Sequence, residues 1–382
     1  MNSKSFFHKV VVVLDPRGVI IAGGHDVINR HQRYADSLNE FTGELRLIII
    51  SSGQNLDVTK LKYPNLEIFS IANPSYNFYR FASESKKLIK GMNWDIKLLI
   101  AGDCWESFWS AYFLNRFMSK NAPIQIQIHG DIADLSWRRI NLKNRIRYSL
   151  AKLSLAKASS VRAVTKHQAE NLMNSFGVNR EKIFVVPVPI NVIGKSVVSK
   201  SERPKTIGLI GRIHRDRGIW EFVQLMRVLN FSSKDFKIVV IGDGLGKDKF
   251  LLKLSSVIPK NRILYLGQLT ESELSKAWKK IGVLVSMAPV ESYGRAMRES
   301  LVAGVPVWAT TSAGVRDLLD NCKKGEVKLL NLTKSDTSLD KDFRSLLKTK
   351  VSSDFSERFI KENNTYAAKL AKSWINTINK SK

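Results

Sequence analysis

The sequence predicts an α/β fold in which two doubly wound, Rossmann-like domains face each other across a cleft. The chain has 382 residues, which is enough for two domains with a core each. Short runs rich in β-branched residues alternate with amphipathic segments of helical length, a pattern typical of parallel sheets covered on both faces. A stretch rich in Pro, Ser and Lys, residues 186–206, separates two such series. Sheets of this kind bind ligands beyond the carboxyl ends of their strands, so two of them predict a cleft.

The predicted strands fall into two sets of six. Those of the first half are 10–14, 45–50, 96–102, 124–128, 161–164 and 183–187. Those of the second half are 206–211, 236–242, 263–267, 283–287, 305–310 and 327–330. Because helical segments lie between them, we expect right-handed βαβ units and parallel pairing.

The domain boundaries follow from the same pattern. We expect a first domain over 1–190, a linker over 191–205 and a second domain over 206–352. The tail, 353–382, has a helical pattern, and we expect it to be able to pack back on the first domain.

Composition excludes several classes of protein. The hydrophobic content of 44% and charged content of 25% are typical of a globular chain, not a disordered one. The two cysteines, Cys104 and Cys322, lie far apart, which gives no support to a disulfide framework or a cysteine zinc site and suits a reducing compartment. The apolar run 10–14 is too short for a signal peptide, and none approaches the roughly 18 residues of a membrane span. We therefore expect a cytoplasmic, soluble or peripheral protein.

The densest group of chemically informative residues is the segment 287–307, MAPVESYGRAMRESLVAGVPV. A strand leads into a loop with Glu291, Gly294 opens a helix, and Glu299 follows Glu291 by eight residues. A helix start presents free N–H groups and a positive dipole end, which suits a diphosphate. Two solvated carboxylates at a helix start would be the simpler interpretation of this pair if it stood alone.

Other segments support the first interpretation. Segment 287–307 resembles the E-x7-E signature of the family 4 retaining glycosyltransferases, which have the GT-B fold. Four neighbouring segments resemble the same family in order and spacing: TIGLIGRIHRDRGI (206–219), IVVIGDGLGKDKF (238–250), the run 263–291 and TSAGVRDLL (311–319). Arg217 stands where the family usually has Lys, and Ser292 where it usually has Gly.

The first half resembles the family more loosely. Gly23 and Gly24 follow the first strand, where glycines let a backbone approach a phosphate or sugar, although a tight turn explains them equally well. His129 and Asp131 follow the strand 124–128, where the family has a histidine; a lone histidine is otherwise often structural. The resemblance makes Gly23, Gly24 and Asp131 candidates for substrate binding and His129 a candidate catalytic residue.

The resemblance implies transfer of a sugar from a nucleotide diphosphate donor with retention of configuration. The charge of the leaving diphosphate would be neutralised by Arg212, Arg217, Gly211 and the helix start at Gly294. Neither a metal nor another cofactor would then be required. Glu291 would accept hydrogen bonds from sugar hydroxyls, and Glu299 would bind the ribose diol. The DxD element Asp340–Asp342 lies in a stretch rich in Lys and Ser and not after a strand, so we expect no metal site there. An inverting enzyme would need a general base such as Asp131 or His129.

The net charge of +27 predicts attraction to a polyanion. From Leu135 to Ala169 there is no acidic residue, and nine basic residues are interleaved with apolar ones. This pattern favours a membrane-surface element, and a solvated helix with its apolar side in the core is the alternative. With the resemblance, it favours an anionic membrane surface as partner and a glycan acceptor linked to polyprenyl diphosphate. The protein would then act in cell-surface polysaccharide synthesis at the inner face of the plasma membrane.

Three other functions are alternatives to a glycosyltransferase. A GT-B scaffold without catalysis would be expected to have lost Glu291, Glu299 or Arg212, and all three are present. A nucleic-acid binder would be expected to show aromatic stacking platforms or a reading helix, and the sequence has neither, so we expect no specific nucleic-acid partner. A GT-B epimerase acting on the nucleotide sugar is the remaining alternative.

Overall fold

The computed structural model describes residues 8–53, 60–73, 77–190, 203–232 and 235–381. Residues 191–202 of the predicted linker lie outside this part of the chain. The described residues form two compact units. The first contains the residues up to Ala133, Asn141–Pro187 and those from Thr365, and the second contains Asp134–Ile140 and Val188–Asn364.

The first unit is built on an eight-stranded sheet with the order β3-β4-β2-β1-β5-β6-β7-β8. The central strand β1 is fully buried over Val10–Val12, because its valines are covered on both faces of the sheet. The strands are β1 His8–Asp15, β2 Arg46–Gly53, β3 Lys60–Tyr63, β4 Leu66–Ala72, β5 Trp94–Ala101, β6 Ile124–Gln127, β7 Ser160–Ala163 and β8 Ile183–Val185. The helices in this half of the chain are α1 Val19–Ala22, α2 Gly24–Thr42, α3 Phe78–Gly91, α4 Glu106–Met118, α5 Leu135–Arg139, α6 Leu142–Lys157 and α7 Lys166–Phe176. All except α5 belong to the first unit; α5 belongs to the second.

The second unit is built on a six-stranded parallel sheet with the order β11-β10-β9-β12-β13-β14. Its strands are β9 Thr206–Ile210, β10 Lys237–Ile241, β11 Ile263–Tyr265, β12 Val283–Ser286, β13 Val307–Ala309 and β14 Val327–Leu329. Its helices are α8 Ile219–Ser232, α9 Lys247–Ser255, α10 Glu271–Ala277, α11 Arg295–Val302, α12 Ala313–Asn321 and α13 Asp336–Leu347.

The last helix, α14 (Ser353–Lys380), belongs to the second unit up to Asn364 and to the first from Thr365. In the first unit Trp374 is 1% exposed and its ring meets that of Tyr34 edge to face at 5.9 Å. The final turns of the helix therefore complete the core of that unit. No helix in the described ranges combines the length and apolar character needed to cross a membrane.

The prediction of a two-domain, doubly wound α/β fold is confirmed, with one correction. The sequence reading missed β3 and β4, and β3 pairs antiparallel with β4 at the edge of the first sheet. β3 alternates exposed and half-buried residues, which is the pattern of an edge strand, and Glu67 and Ser70 interrupt the apolar run of β4. The predicted cleft stays a prediction.

Candidate functional site

The carboxyl edge of the second sheet brings several predicted residues together. Arg217 follows β9 and Glu291 follows β12, and these two strands are hydrogen-bonded neighbours. An Nη1 hydrogen of Arg217 is donated to Oε2 of Glu291 at 2.9 Å. Residues that are 74 positions apart in sequence thus form one ion pair because parallel strands end at the same edge.

The second carboxylate oxygen of Glu291 fixes the loop before α11. Oε1 accepts the backbone N–H of Gly294 at 3.0 Å and that of Tyr293 at 3.4 Å. Gly294 has φ 75°, a left-handed conformation that disfavours a side chain. Glu291 therefore holds both the guanidinium of Arg217 and the start of the helix in fixed orientation.

The first turn of α11 is suited to an anion. Its N-cap, Gly294, provides no side-chain cap for the free N–H groups that follow. Arg295 stands in this first turn, where the helix dipole disfavours a cation, and its side chain is 44% exposed. A bound phosphate would satisfy both the N–H groups and the guanidinium.

Glu299 lies one turn further along α11. It is 8% exposed, and its Oε1 lies 3.6 Å from a guanidinium nitrogen of Arg295. Arg295 and Glu299 are therefore neighbours on one side of α11. The role of Glu299 in binding a ribose stays a prediction.

Arg212 and Gly211 follow β9 directly. Gly211 is exposed and adopts φ 136°. The side chain of Arg212 is 66% exposed, and its nearest carboxylate partner is Asp216 at 3.5 Å. Arg212 is thus available to a ligand at this edge, but Arg217 is the arginine that contacts Glu291.

In the first unit, Gly23 lies between α1 and α2 after the carboxyl end of β1, and Gly24 follows it. The buried carboxylate of Asp15 accepts the backbone N–H groups of Val19 and Ile20 at 3.1 and 2.8 Å. Asp15 therefore fixes the turn that leads to the two glycines. Gly24 begins the 19-residue helix α2 in a left-handed conformation, with open space beside its Cα.

His129 and Asp131 follow β6 at the same edge of the first sheet. Asp131 is buried and accepts the side-chain N–H of Asn171 at 2.8 Å. Part of His129 is exposed to solvent, yet loss of water contacts lowers its pKa to about 3, and the guanidinium groups of Arg162 and Arg30 act in the same direction. His129 is therefore a neutral imidazole at neutral pH and a weak base.

The lowered pKa of His129 predicts a pH dependence of stability. The unfolded state takes up this proton near pH 6.5 and the folded state only near pH 3, so stability falls as pH decreases between these values. We expect His129→Gln to lose less stability than wild type between pH 7 and pH 5 in urea titrations. His8→Gln, at an exposed histidine in β1, is the control, and equal pH dependence in wild type and His129→Gln would contradict the assignment.

Sequence reasoning missed Arg298, Arg295 and Arg17, which the structure places in or near these sites. Arg298 is buried behind the Glu291 loop, and Arg295 lies at the helix start. In the first unit Arg147 and Arg17 both pair with Glu106, at the start of α4. The spacing of Arg298 with the apolar Leu301 was an available signal of burial, since residues i and i+3 share one helix face.

The basic stretch of the first unit contains an exposed apolar stripe on α6. Leu142, Ile146, Leu150 and Leu153 are 69%, 55%, 39% and 53% exposed, and their spacing places them on one helix face. The face that packs on the unit consists of Asn144, Ala151, Ser154 and Leu155. The alternative interpretation, in which the apolar side of this helix faces the core, is therefore wrong for α6.

The basic residues of α6 divide into two groups. Lys143, Arg145 and Lys152 are exposed beside the stripe. Arg147 instead bonds to Glu106 at 3.1 Å and lies over the ring of Trp105 at 4.7 Å. Arg147 therefore connects α6 to the loop after β5, and Lys143, Arg145 and Lys152 form the exposed basic border of the stripe. Lys157, the last residue of the helix, lies over the ring of Tyr112 at 5.4 Å.

The DxD element lies on α13. Asp340 pairs with Arg344 at 2.7 Å, and Asp342 pairs with Lys328 and Lys334 at 2.7 and 2.8 Å. Within the described ranges, no group of three or more His, Cys, Asp and Glu side chains has the arrangement of a metal site.

Comparison with known proteins gives the class of this fold. The solved structure of a glycosyltransferase from Rickettsia africae superposes with a TM-score of 0.67 at 16% identity, covering 97% of this chain and 99% of that one. Anabaena Alr3699/HepE in complex with UDP and glucose gives 0.62 at 15% identity, covering 94% and 99%. The two units therefore form the GT-B fold.

Sequence comparison points to the same class. Residues 195–365 match the model of the family described as "Glycosyl transferases group 1", a range that includes Arg212, Arg217, Glu291 and Glu299. The GDP-mannose-dependent alpha-mannosyltransferase of Mycolicibacterium smegmatis is 29% identical over 119 residues, which is 31% of this chain and 29% of that relative. The chain thus matches less than a third of this relative's length. Residues 195–365 are thus similar to group 1 glycosyltransferases, and the chain as a whole has the GT-B fold.

Proposed function

We propose that the protein transfers a sugar, with retention of configuration, from a nucleotide diphosphate sugar to a glycan acceptor. The observation that carries the proposal is the cluster of Arg217, Glu291 and the start of α11 at one sheet edge. The match to the group 1 family covers this cluster. The alpha-mannosyltransferase is named for GDP-mannose, and the Anabaena structure holds UDP and glucose, so both nucleotides are candidates.

In the proposed mechanism, the diphosphate lies at the first turn of α11. Arg217 and Arg295 face the negative charge that grows on the leaving phosphate, and the exposed Arg212 adds to this field. The bond between the anomeric carbon and the phosphate oxygen breaks while the acceptor oxygen attacks from the same face. The acceptor proton passes to the leaving phosphate oxygen, so no separate base is used.

His129 has a different part in this proposal. With a pKa lowered to about 3 by loss of water contacts and neighbouring positive charge, it is a poor general base for an inverting reaction. As a neutral imidazole it can exchange hydrogen bonds with sugar hydroxyls. This argues against His129 as the base of an inverting reaction, for which Asp131 is then the remaining candidate.

Glu299→Ala should weaken donor binding by about 1.5–3 kcal/mol, because buried ribose hydroxyls lose a charged acceptor. Calorimetric titration of UDP and GDP into both proteins measures this change. Glu271→Ala, at an exposed position in the first turn of α10, is the control. If Glu299→Ala binds the preferred nucleotide as tightly as wild type, Glu299 lies outside the donor site.

Metal independence is part of the proposal, because the cations that face the diphosphate are side chains. We expect turnover to be unchanged in excess EDTA. Loss of turnover with EDTA and recovery with Mn²⁺ or Mg²⁺ would contradict this. Asp340 and Asp342 would then have to be tested as ligands, despite their present ion pairs.

We further propose that α6 docks on the anionic inner face of the plasma membrane, where the protein would act on a polyprenyl-diphosphate-linked glycan in cell-surface polysaccharide synthesis. The exposed stripe of Leu142, Ile146, Leu150 and Leu153 supports this, since contiguous exposed apolar residues mark interaction surfaces. Its basic border and lack of acidic residues match an anionic bilayer. α6 has no acidic side chain that could pair with a partner whose surface is basic.

A further inference from the structure

The guanidinium of Arg298 is buried beneath the loop that carries Glu291. Arg298 is 1% exposed, and its Nη2 pairs with a carboxylate oxygen of Asp317 on α12 at 2.5 Å. Its Nε and Nη1 have no hydrogen-bond partner among the described residues. The guanidinium carbon lies 3.8 Å from the ring centre of Tyr293 and 5.6 Å from that of Phe359.

Stability is a poor explanation for this arginine. A buried ion pair with unsatisfied N–H groups recovers little of the free energy lost on removal from water, and replacing both partners of such a pair by apolar residues is often neutral or stabilising. The close contact of Arg298 with Tyr293 offers another explanation. A planar cation over an aromatic face holds the ring in one orientation.

Two residues of α12, Asp317 and Gly314, help to fix Tyr293 in place. Its ring contacts Arg298, which Asp317 holds in place. Its backbone lies against Gly314, where a Cβ would come within 2.9 Å of the Tyr293 N and C atoms. Gly314 and Asp317 are three residues apart on α12, so one helix supports both contacts.

We propose that Arg298 is a positioning residue for the donor site. It acts through Tyr293, whose backbone N–H and that of Gly294 bond to Oε1 of Glu291, and Oε2 of Glu291 holds Arg217. This chain of contacts runs from a buried ion pair to the proposed phosphate-binding residues. The inference rests on the proposed function only where it concerns nucleotide binding.

Two measurements on Arg298→Met test the proposal. Hydrogen exchange of the free protein reports the order of the loop over residues 290–296, and we expect several-fold faster exchange there, with unchanged exchange in β9 and β12. Titration with UDP and GDP reports the site, and we expect affinity for the preferred nucleotide to fall about tenfold. Thermal unfolding should show a protein that is folded but less stable, because the carboxylate of Asp317 loses its ion-pair partner. Arg298→Lys, which keeps the charge near Asp317 but lacks the planar stack, should be intermediate in both.

Arg262→Met is the matched control. Arg262 is partly buried in the same unit and stacks on Phe236 at 4.7 Å, but it lies before β11, away from the carboxyl edge. This variant should leave loop exchange and nucleotide affinity as in wild type. If Arg298→Met folds and leaves the exchange of residues 290–296 unchanged, the positioning role is wrong. If wild type binds no nucleotide, the proposed function fails, and the exchange result alone decides whether Arg298 orders the loop.

Discussion

Arg217→Ala is expected to lower the rate of glycosyl transfer by about 100- to 1000-fold, the typical effect of removing one preorganised group that stabilises transition-state charge. The ion pair with Glu291 holds the guanidinium in place before the donor binds, so its orientation requires no reorganisation during the reaction. Because the charge on the phosphate grows as the glycosidic bond breaks, the loss should appear mainly in kcat.

The same short turn provides a control for this variant. Arg215 lies two residues earlier and is exposed. Unlike Arg217, it forms no ion pair with Glu291. Arg215→Ala removes the same charge from the same loop and should retain nearly full turnover. Equal losses in both variants would mean that only the net charge of the loop matters, and near wild-type activity in Arg217→Ala would place the diphosphate elsewhere.

Reversing the charges of Lys143, Arg145 and Lys152 to Glu is expected to remove most binding to anionic vesicles. Removing three positive charges costs about 3 kcal/mol at roughly 1 kcal/mol per residue near the surface, and the introduced carboxylates add repulsion. Sedimentation with anionic and neutral vesicles measures the loss. Wild-type binding should also weaken with rising salt.

A triple variant with the same change in net charge is the control. Lys253, Lys260 and Lys279 are exposed in the second unit, and their reversal to Glu should leave vesicle binding largely intact. Nucleotide affinity should be unchanged by the α6 variant, because the proposed donor site is in the second unit. If wild type does not bind anionic vesicles, the membrane proposal and its support for a lipid-linked acceptor fail together.

The sequence predicts the second unit more completely than the first. All six of its strands match predicted runs, because each is a short, mostly apolar run within a parallel sheet. The edge strand β3 and its neighbour β4 escape this signal, since β3 is short and polar residues interrupt β4. The antiparallel pairing of β3 follows from a tight turn at Tyr63–Leu66, a local feature that the apolar pattern does not encode.

The candidate site is predictable in its members but not in their contacts. The spacing of Glu291, Gly294 and Glu299 is visible in the sequence, while the bond from Glu291 to Arg217 depends on the order of β9 and β12 in the sheet. Arg298 is the converse case. The sequence gives no indication that Arg298 contacts the loop before α11. That contact, with the ring of Tyr293, is visible only in the structure.

The most direct test of the central claim is the release of nucleotide diphosphate from a panel of nucleotide sugars that includes GDP-mannose and UDP-glucose. Wild-type protein with a glycolipid extract as acceptor should release the diphosphate from one donor in preference to the others, Arg217→Ala should release little, and Arg215→Ala should match wild type. A product that is the epimerised sugar would favour the epimerase alternative. Folded wild-type protein that neither binds nor cleaves any donor of the panel would contradict the assignment as a glycosyltransferase.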